Sequence, residues 1–258
     1  MSQQLLYGFS SIAITFVLFA LIIGCNEAGF RIGRFVQRQT NDEVKTLTGA
    51  IQGSILGLLA LMLGFTFSMS MQRYDARNQA LIHEANAIGT VMLRVQLLPE
   101  QFHAEVSSML DDYVDLRIAA SQIDLTQLEK RREFNQRISD LQNAIWAVAV
   151  EAAQISPSPV TSGAFITALN DMIDRQGERN AFLQMQVPEV VLLLLFVVFL
   201  SSGGILGYSS GLGGKRVMAP TVVVSFLISL IVFIIIDLDR PRRGLIQVDQ
   251  SSLVMLQK

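Results

Sequence analysis

The apolar residues of this chain fall into four long uncharged blocks. Leu5–Cys25, Ala50–Met71, Val190–Tyr208 and Val217–Ile236 contain no Asp, Glu, Lys or Arg. A bilayer core about 30 Å thick is crossed by about 20 residues of helix, and each block has that length. The pattern therefore predicts four transmembrane helices in two hairpins. The first hairpin spans 1–71, with helices near 5–25 and 50–71; the second spans 187–236, with helices near 188–208 and 217–236. Four helices buried in a large soluble core is the competing reading, and uncharged runs of this length argue against it.

The segment between the hairpins, 72–186, has helical rather than membrane character. Phe134, Ile138, Leu141, Ile145 and Val148 step by four, three, four and three, one apolar stripe along a helix. Thr126 and Glu129 form a capping box at its start, and Ser156-Pro157-Ser158-Pro159 ends it, because proline breaks the hydrogen-bond ladder. A second helix is expected from about Glu100 to Ser121, with Val106, Met109, Tyr113 and Leu116 as its apolar face, and a third from about Ala164 toward Pro188. No alternating run reads as a strand. The expected fold class is all-α: an integral membrane protein with four transmembrane helices, a helical extramembrane domain and a C-terminal tail, 237–258.

Composition sharpens this picture. Only 16% of the residues are charged against 51% hydrophobic, where soluble domains carry about 25% charge. Disorder is excluded, since disordered chains are poor in apolar residues. The shortage of charge is uneven: Gln72–Gln186 holds 10 basic and 15 acidic residues, net −5, leaving +3 elsewhere. No basic domain points to nucleic acid. A single cysteine, Cys25, excludes a disulfide framework. Ile22-Ile23-Gly24-Cys25 has the look of a lipoprotein cleavage site, but Met1-Ser2-Gln3-Gln4 supplies no basic residue before it. Cys25 is expected to be an ordinary small apolar residue.

Catalytic chemistry is hard to find. His83-Glu84 lacks the second histidine of a zinc protease, and no Gly-x-Ser-x-Gly elbow occurs. The glycines Gly203, Gly204, Gly207, Gly211, Gly213 and Gly214 straddle a membrane helix and its turn, which suits packing and turn formation. Asp111, Asp112 and Asp115, and Asp171 with Asp174, read as solvated helix surface. No enzyme, no cofactor and no metal site is expected.

The second membrane helix holds the most informative pattern. Gly49, Gly53, Gly57, Leu61 and Phe65 recur every four residues. Small residues at that spacing allow helices to approach closely, which makes Gly49, Gly53 and Gly64 helix-packing candidates. The same stripe also suits a pore, in which apolar rings gate by dewetting. Spacing favours neither. Beyond the apolar stretch, Arg73, Tyr74 and Arg77 read as interfacial or structural anchors, with long side chains able to reach the membrane interface. From Ala50 to Leu98 there is no proline, so this helix is expected to continue outward as a rod.

Leu63-Gly64-Phe65, followed by Arg73-Tyr74 eight and nine residues after the phenylalanine, resembles the pore helix of bestrophins. Ala76-Arg77, Ala85-Asn86-Ala87-Ile88-Gly89-Thr90 and Leu97-Leu98-Pro99 are similar to bacterial bestrophin-like membrane proteins. The resemblance covers roughly Gly57–Pro99, and the order of hairpin, helical insert and hairpin agrees with it. It implies a homopentameric, bestrophin-like ion channel, passing mainly anions, in the bacterial inner membrane. The bilayer, further copies of the chain and small inorganic ions would be its partners. Carried over by spacing, the pore neck falls on Gly57, Leu61 and Phe65. Gly57 departs from the family, which has a large apolar residue there, and Leu58 replaces a proline common in bestrophins. The acidic calcium cluster of animal bestrophins has no match: Asp237 and Asp239 lie in a comparable place, but Arg240, Arg242 and Arg243 follow at once.

Charge leaves the orientation nearly balanced. A cytoplasmic N-terminus puts Arg73, Arg77, Arg175, Arg179, Arg240, Arg242 and Arg243 inside; the reverse puts Arg31, Arg34, Arg38, Lys45, Lys215 and Arg216 there. Weighting short loops favours the second arrangement slightly. The resemblance favours the first, with the helical domain in the cytoplasm, and that is the arrangement adopted. The alternative to a channel is a non-conducting scaffold or sensor whose helical domain binds a partner.

Overall fold

A computed structural model describes residues 9–124, 127–216 and 218–257. Among these residues the regular structure is helical and no strand occurs. The helices are α1 (Ser11–Val36), α2 (Asp42–Arg94), α3 (His103–Ser121), α4 (Leu128–Ile155), α5 (Ser162–Gln184), α6 (Glu189–Leu212), α7 (Met218–Leu238) and the short α8 (Ser251–Val254). Stretches of α1, α2, α6 and α7 are long and apolar enough to cross a membrane. The chain divides into two units, Met1–Gln72 with Gln186–Arg240, and Arg73–Met185 with Pro241–Lys258.

In the first unit, α1 begins and ends later than its apolar block. Ser10 caps it, its Oγ accepting from Ala13 N at 3.1 Å. The helix then runs past Cys25 to Val36, although Glu27, Arg31 and Arg34 are charged. Glu27 and Arg31 pair one turn apart at 2.8 Å, but such exposed pairs contribute little. The stronger reason is a seam with α6. An ideal Cβ built at Gly29 would fall 2.0 Å from Gly204 O, and one at Gly33 2.2 Å from Tyr208 O. From the other side, Cβ atoms at Gly207 and Gly211 would lie 1.9 Å from Asn26 O and 2.4 Å from Phe30 O. Asn26 Nδ2 donates to Gly203 O across the seam at 3.1 Å. Backbones meet here at a distance that only glycine allows. The helices expected at 188–208 and 217–236 are Glu189–Leu212 and Met218–Leu238; Val217 lies outside the described residues. Leu18, Ile22, Leu59, Leu63, Phe199 and Ile235 draw α1, α2, α6 and α7 into one apolar core.

In the second unit, α2 continues without interruption to Arg94, as the absence of proline allows. A short 3₁₀ turn, Val95–Leu97, closes it ahead of Pro99. The next helix starts as the 3₁₀ turn Glu100–Phe102 and becomes α3. In α4, Ile138 and Ile145 are fully buried, with Phe134 and Leu141 packed partly against the same core. Thr126, half of the expected capping box, lies outside the described residues. The helix stops at Ile155, before the two prolines. Residues after Pro241 join this unit: Leu253 is wholly buried in its core, with Val248 and Leu256 against it.

Candidate functional site

The stripe on α2 has two sides. Leu59, Leu63, Thr66 and Ser70 are 5%, 8%, 3% and 0% exposed. Nearly half a turn away, Leu61 and Phe65 are 56% and 66% exposed, and Gly57 is exposed with them. The helical repeat explains the split, since positions 59, 63, 66 and 70 share one face and 57, 61 and 65 the opposite one. Among the described residues, no heavy atom beyond the adjoining turns of α2 lies within 4 Å of an ideal Cβ at Gly49, Gly53, Gly57 or Gly64. A contiguous apolar face of this kind marks contact with lipid or protein.

Of the three residues read as anchors, Arg77 is 2% exposed. Its Nε donates to Phe182 O at 3.3 Å and its Nη2 to Met185 O at 2.6 Å. The guanidinium therefore closes the end of α5, binding Phe182 O, which also accepts from Met185 N, and the carbonyl of Met185 itself. Its partners are backbone carbonyls of α5 and the residue that follows it. Tyr74 is half-buried, its hydroxyl 3.5 Å from Gln247 O, and Arg73 is likewise half-buried.

Further along α2 from Arg77, Glu84 is completely buried. Arg117 Nε on α3 donates to its Oε1 at 2.5 Å, and Arg179 Nη1 on α5 to its Oε2 at 2.5 Å. Arg179 Nη2 also donates to Gln250 Oε1 at 2.8 Å. Burial alone would raise the Glu84 carboxyl, but attraction to Arg117 and Arg179 outweighs it and holds the group below its ordinary value of 4.5. Beside it, burial pushes the Tyr113 phenol up to about 12, and Gln142 Nε2 donates to the Tyr113 oxygen at 3.2 Å. Along the sequence Glu84 stood out only in His83-Glu84, a pair that fails the zinc-protease pattern. The available signal was a carboxylate flanked by the apolar Leu81, Ala85 and Ile88.

At the end of α7, Asp239 is fully buried and its Oδ2 accepts from Val187 N at 2.7 Å. Arg240 donates to Phe9 O. These residues tie backbone together. Among the described residues, no group of three His, Cys, Asp or Glu side chains is placed to hold a metal ion. Asp239→Ala should lose about 1–3 kcal/mol by leaving a buried N–H unpaired, to be read as a lower thermal midpoint in detergent.

The fold and stripe define a class, a four-span all-α membrane protein with a helical extramembrane unit. The model of the Bestrophin-like domain matches residues 17–253, and the chain belongs to that family. No curated protein matches. Solved structures of a bacterial bestrophin homolog from Klebsiella pneumoniae, each carrying a single mutation, share the fold. One such variant aligns at a TM-score of 0.66 with 16% identity, over 92% of this chain and 95% of that one. A second aligns at 0.64 with 17% identity, over 96% of each chain.

Proposed function

We propose that the protein is an oligomeric ion channel of the inner membrane, five copies surrounding an axis lined by α2. Small inorganic ions pass, anions foremost, and Leu61 and Phe65 narrow the path. Gly57 leaves the first neck position wide. The helical unit lies in the cytoplasm. The observation that carries this reading is the outward face of α2: Leu61 and Phe65 are exposed while the opposite face of the same turns is buried. A ring of such side chains can hold a pore dry until it widens. Membership of the Bestrophin-like family supports the same assignment.

Purified protein in liposomes should conduct, with a reversal potential that follows a chloride gradient. Phe65→Ala and Leu61→Ala should change unitary conductance severalfold. Imaging of the particle should show five copies around a water-wide axis. An electrically silent preparation with the oligomer intact would overturn the proposal, and so would a dimer. A silent oligomer with a filled axis would favour a membrane scaffold.

A further inference from the structure

The buried network around Glu84 contains more positive charge than it can neutralise. Glu84 brings one negative charge, and it is shared by Arg117 and Arg179. Close by stands a third cation, Arg242, whose Nη1 donates to Ala120 O at 2.9 Å. Burial comes first in pushing Arg242 down to about 9, and repulsion from Arg179, Arg117 and Arg131 adds to it against the attraction of Glu84. An arginine does not relieve such a conflict by losing its proton. Two buried guanidiniums face one carboxylate, and the half-buried Arg242 adds a third positive charge beside them; buried charge is costly unless paired.

Two further observations meet at the same place. Arg117 is 2% exposed, yet its Nη2 has no hydrogen-bond partner among the described residues. Arg242 has a φ of 68°, in the left-handed region that a side chain of this size rarely adopts. Strain of this kind persists where the surroundings hold the residue in place, and it gathers at functional sites. Arg117 and Arg242 both line one cavity in the helical unit, together with Arg131, Asn135, Asn180 and Gln184. The cavity offers about 30 Å³ to the centre of a water-sized sphere. That is room for a monatomic ion, since one water needs roughly 10–15 Å³ on the same measure.

We propose that this cavity binds a small inorganic anion, chloride or another halide, between Arg117 and Arg242, with the amides of Asn135, Asn180 and Gln184 as further donors. The anion supplies the charge that Glu84 alone cannot, and it occupies the open position at Arg117 Nη2. The site belongs to the helical unit and does not depend on the channel reading. A protein that passed no current would still bind there.

Bromide tests this directly on the wild-type protein. Crystals grown in sodium bromide should show an anomalous peak in the cavity, within hydrogen-bonding distance of Arg117. A cavity without that peak, whether or not bromide binds elsewhere, would overturn the proposal. Thermal unfolding, followed by the emission of Trp146, gives a second readout in sodium chloride, bromide and gluconate at equal ionic strength. Halide at ten times Kd should favour the folded state about 11-fold over gluconate. Arg242→Gln should abolish that increment while losing little stability in gluconate, because it removes an uncompensated charge. An increment that persists undiminished in Arg242→Gln would also overturn the assignment.

Discussion

Glu84→Ala should destabilise the helical unit by about 3–5 kcal/mol, the range for removing one partner from a buried ion pair. The reason is the fate of the other partners. Arg117 is 2% exposed and Arg179 3%, so neither guanidinium can turn to water when the carboxylate is gone. Glu84→Gln should cost nearly as much, although it preserves shape, because the missing quantity is charge. Replacing all three together, Glu84→Leu with Arg117→Met and Arg179→Met, should cost less than the single change, since apolar groups of similar volume leave no charge stranded. Trp146, the one tryptophan in the chain, lies on α4 within this unit, so its emission during denaturant titration reports the loss. Near-equal stability of wild type and Glu84→Ala would contradict the role given to the carboxylate.

The same pair makes a pH prediction. Glu84 ionises at a lower pH in the folded protein than in the unfolded chain, whose value is near 4.5. The unfolded state therefore binds the proton more tightly, and acid favours unfolding. The contribution of Glu84 is complete above the unfolded value and is lost as pH falls through the folded one. Wild type should weaken on acidification across that window, and Glu84→Gln should lack this part of the slope.

Gly207→Ala should open the seam between α1 and α6. A Cβ there would lie 1.9 Å from Asn26 O, 2.7 Å from Asn26 C and 2.9 Å from Asn26 Cα, all backbone atoms. No rotamer change relieves a clash with backbone, so the helices must separate. Overpacking usually costs about 1–3 kcal/mol, and this position belongs at the upper end. The single cysteine offers a readout: Cys25 is half-buried on α1, and its alkylation should accelerate when α6 moves away. Gly53→Ala is the control. Among the described residues nothing beyond its own helix lies within 4 Å of its Cβ, so it should leave Cys25 unchanged and favour the helix by about 0.5–1 kcal/mol. An unchanged alkylation rate in Gly207→Ala would rule out the seam.

Local chemistry made some features readable in advance. The stripe from Phe134 to Val148 turned inward, Ile138 and Ile145 most completely, because α4 is otherwise polar and has this one apolar face to bury. The prolines after Ile155 stopped α4 where a ladder without donors must stop. The partners of Arg77 were not readable in this way. Its position just past an apolar run suggested an interface, but three-dimensional packing placed the carbonyls of Phe182 and Met185 within its reach.

Hydrophobic length and period are properties of neighbouring residues. The four apolar helices, the helical domain between them and the stripe of Gly57, Leu61 and Phe65 were therefore legible along the chain before any fold was known. Packing alone settled which glycines close the α1–α6 seam. It also joined Glu84 to Arg117 and Arg179, which lie 33 and 95 residues away along the chain. Partners that distant share no period, so their meeting is set by how the helices assemble. The excess of positive charge beside Glu84 follows from that assembly, and so does the cavity proposed to receive an anion.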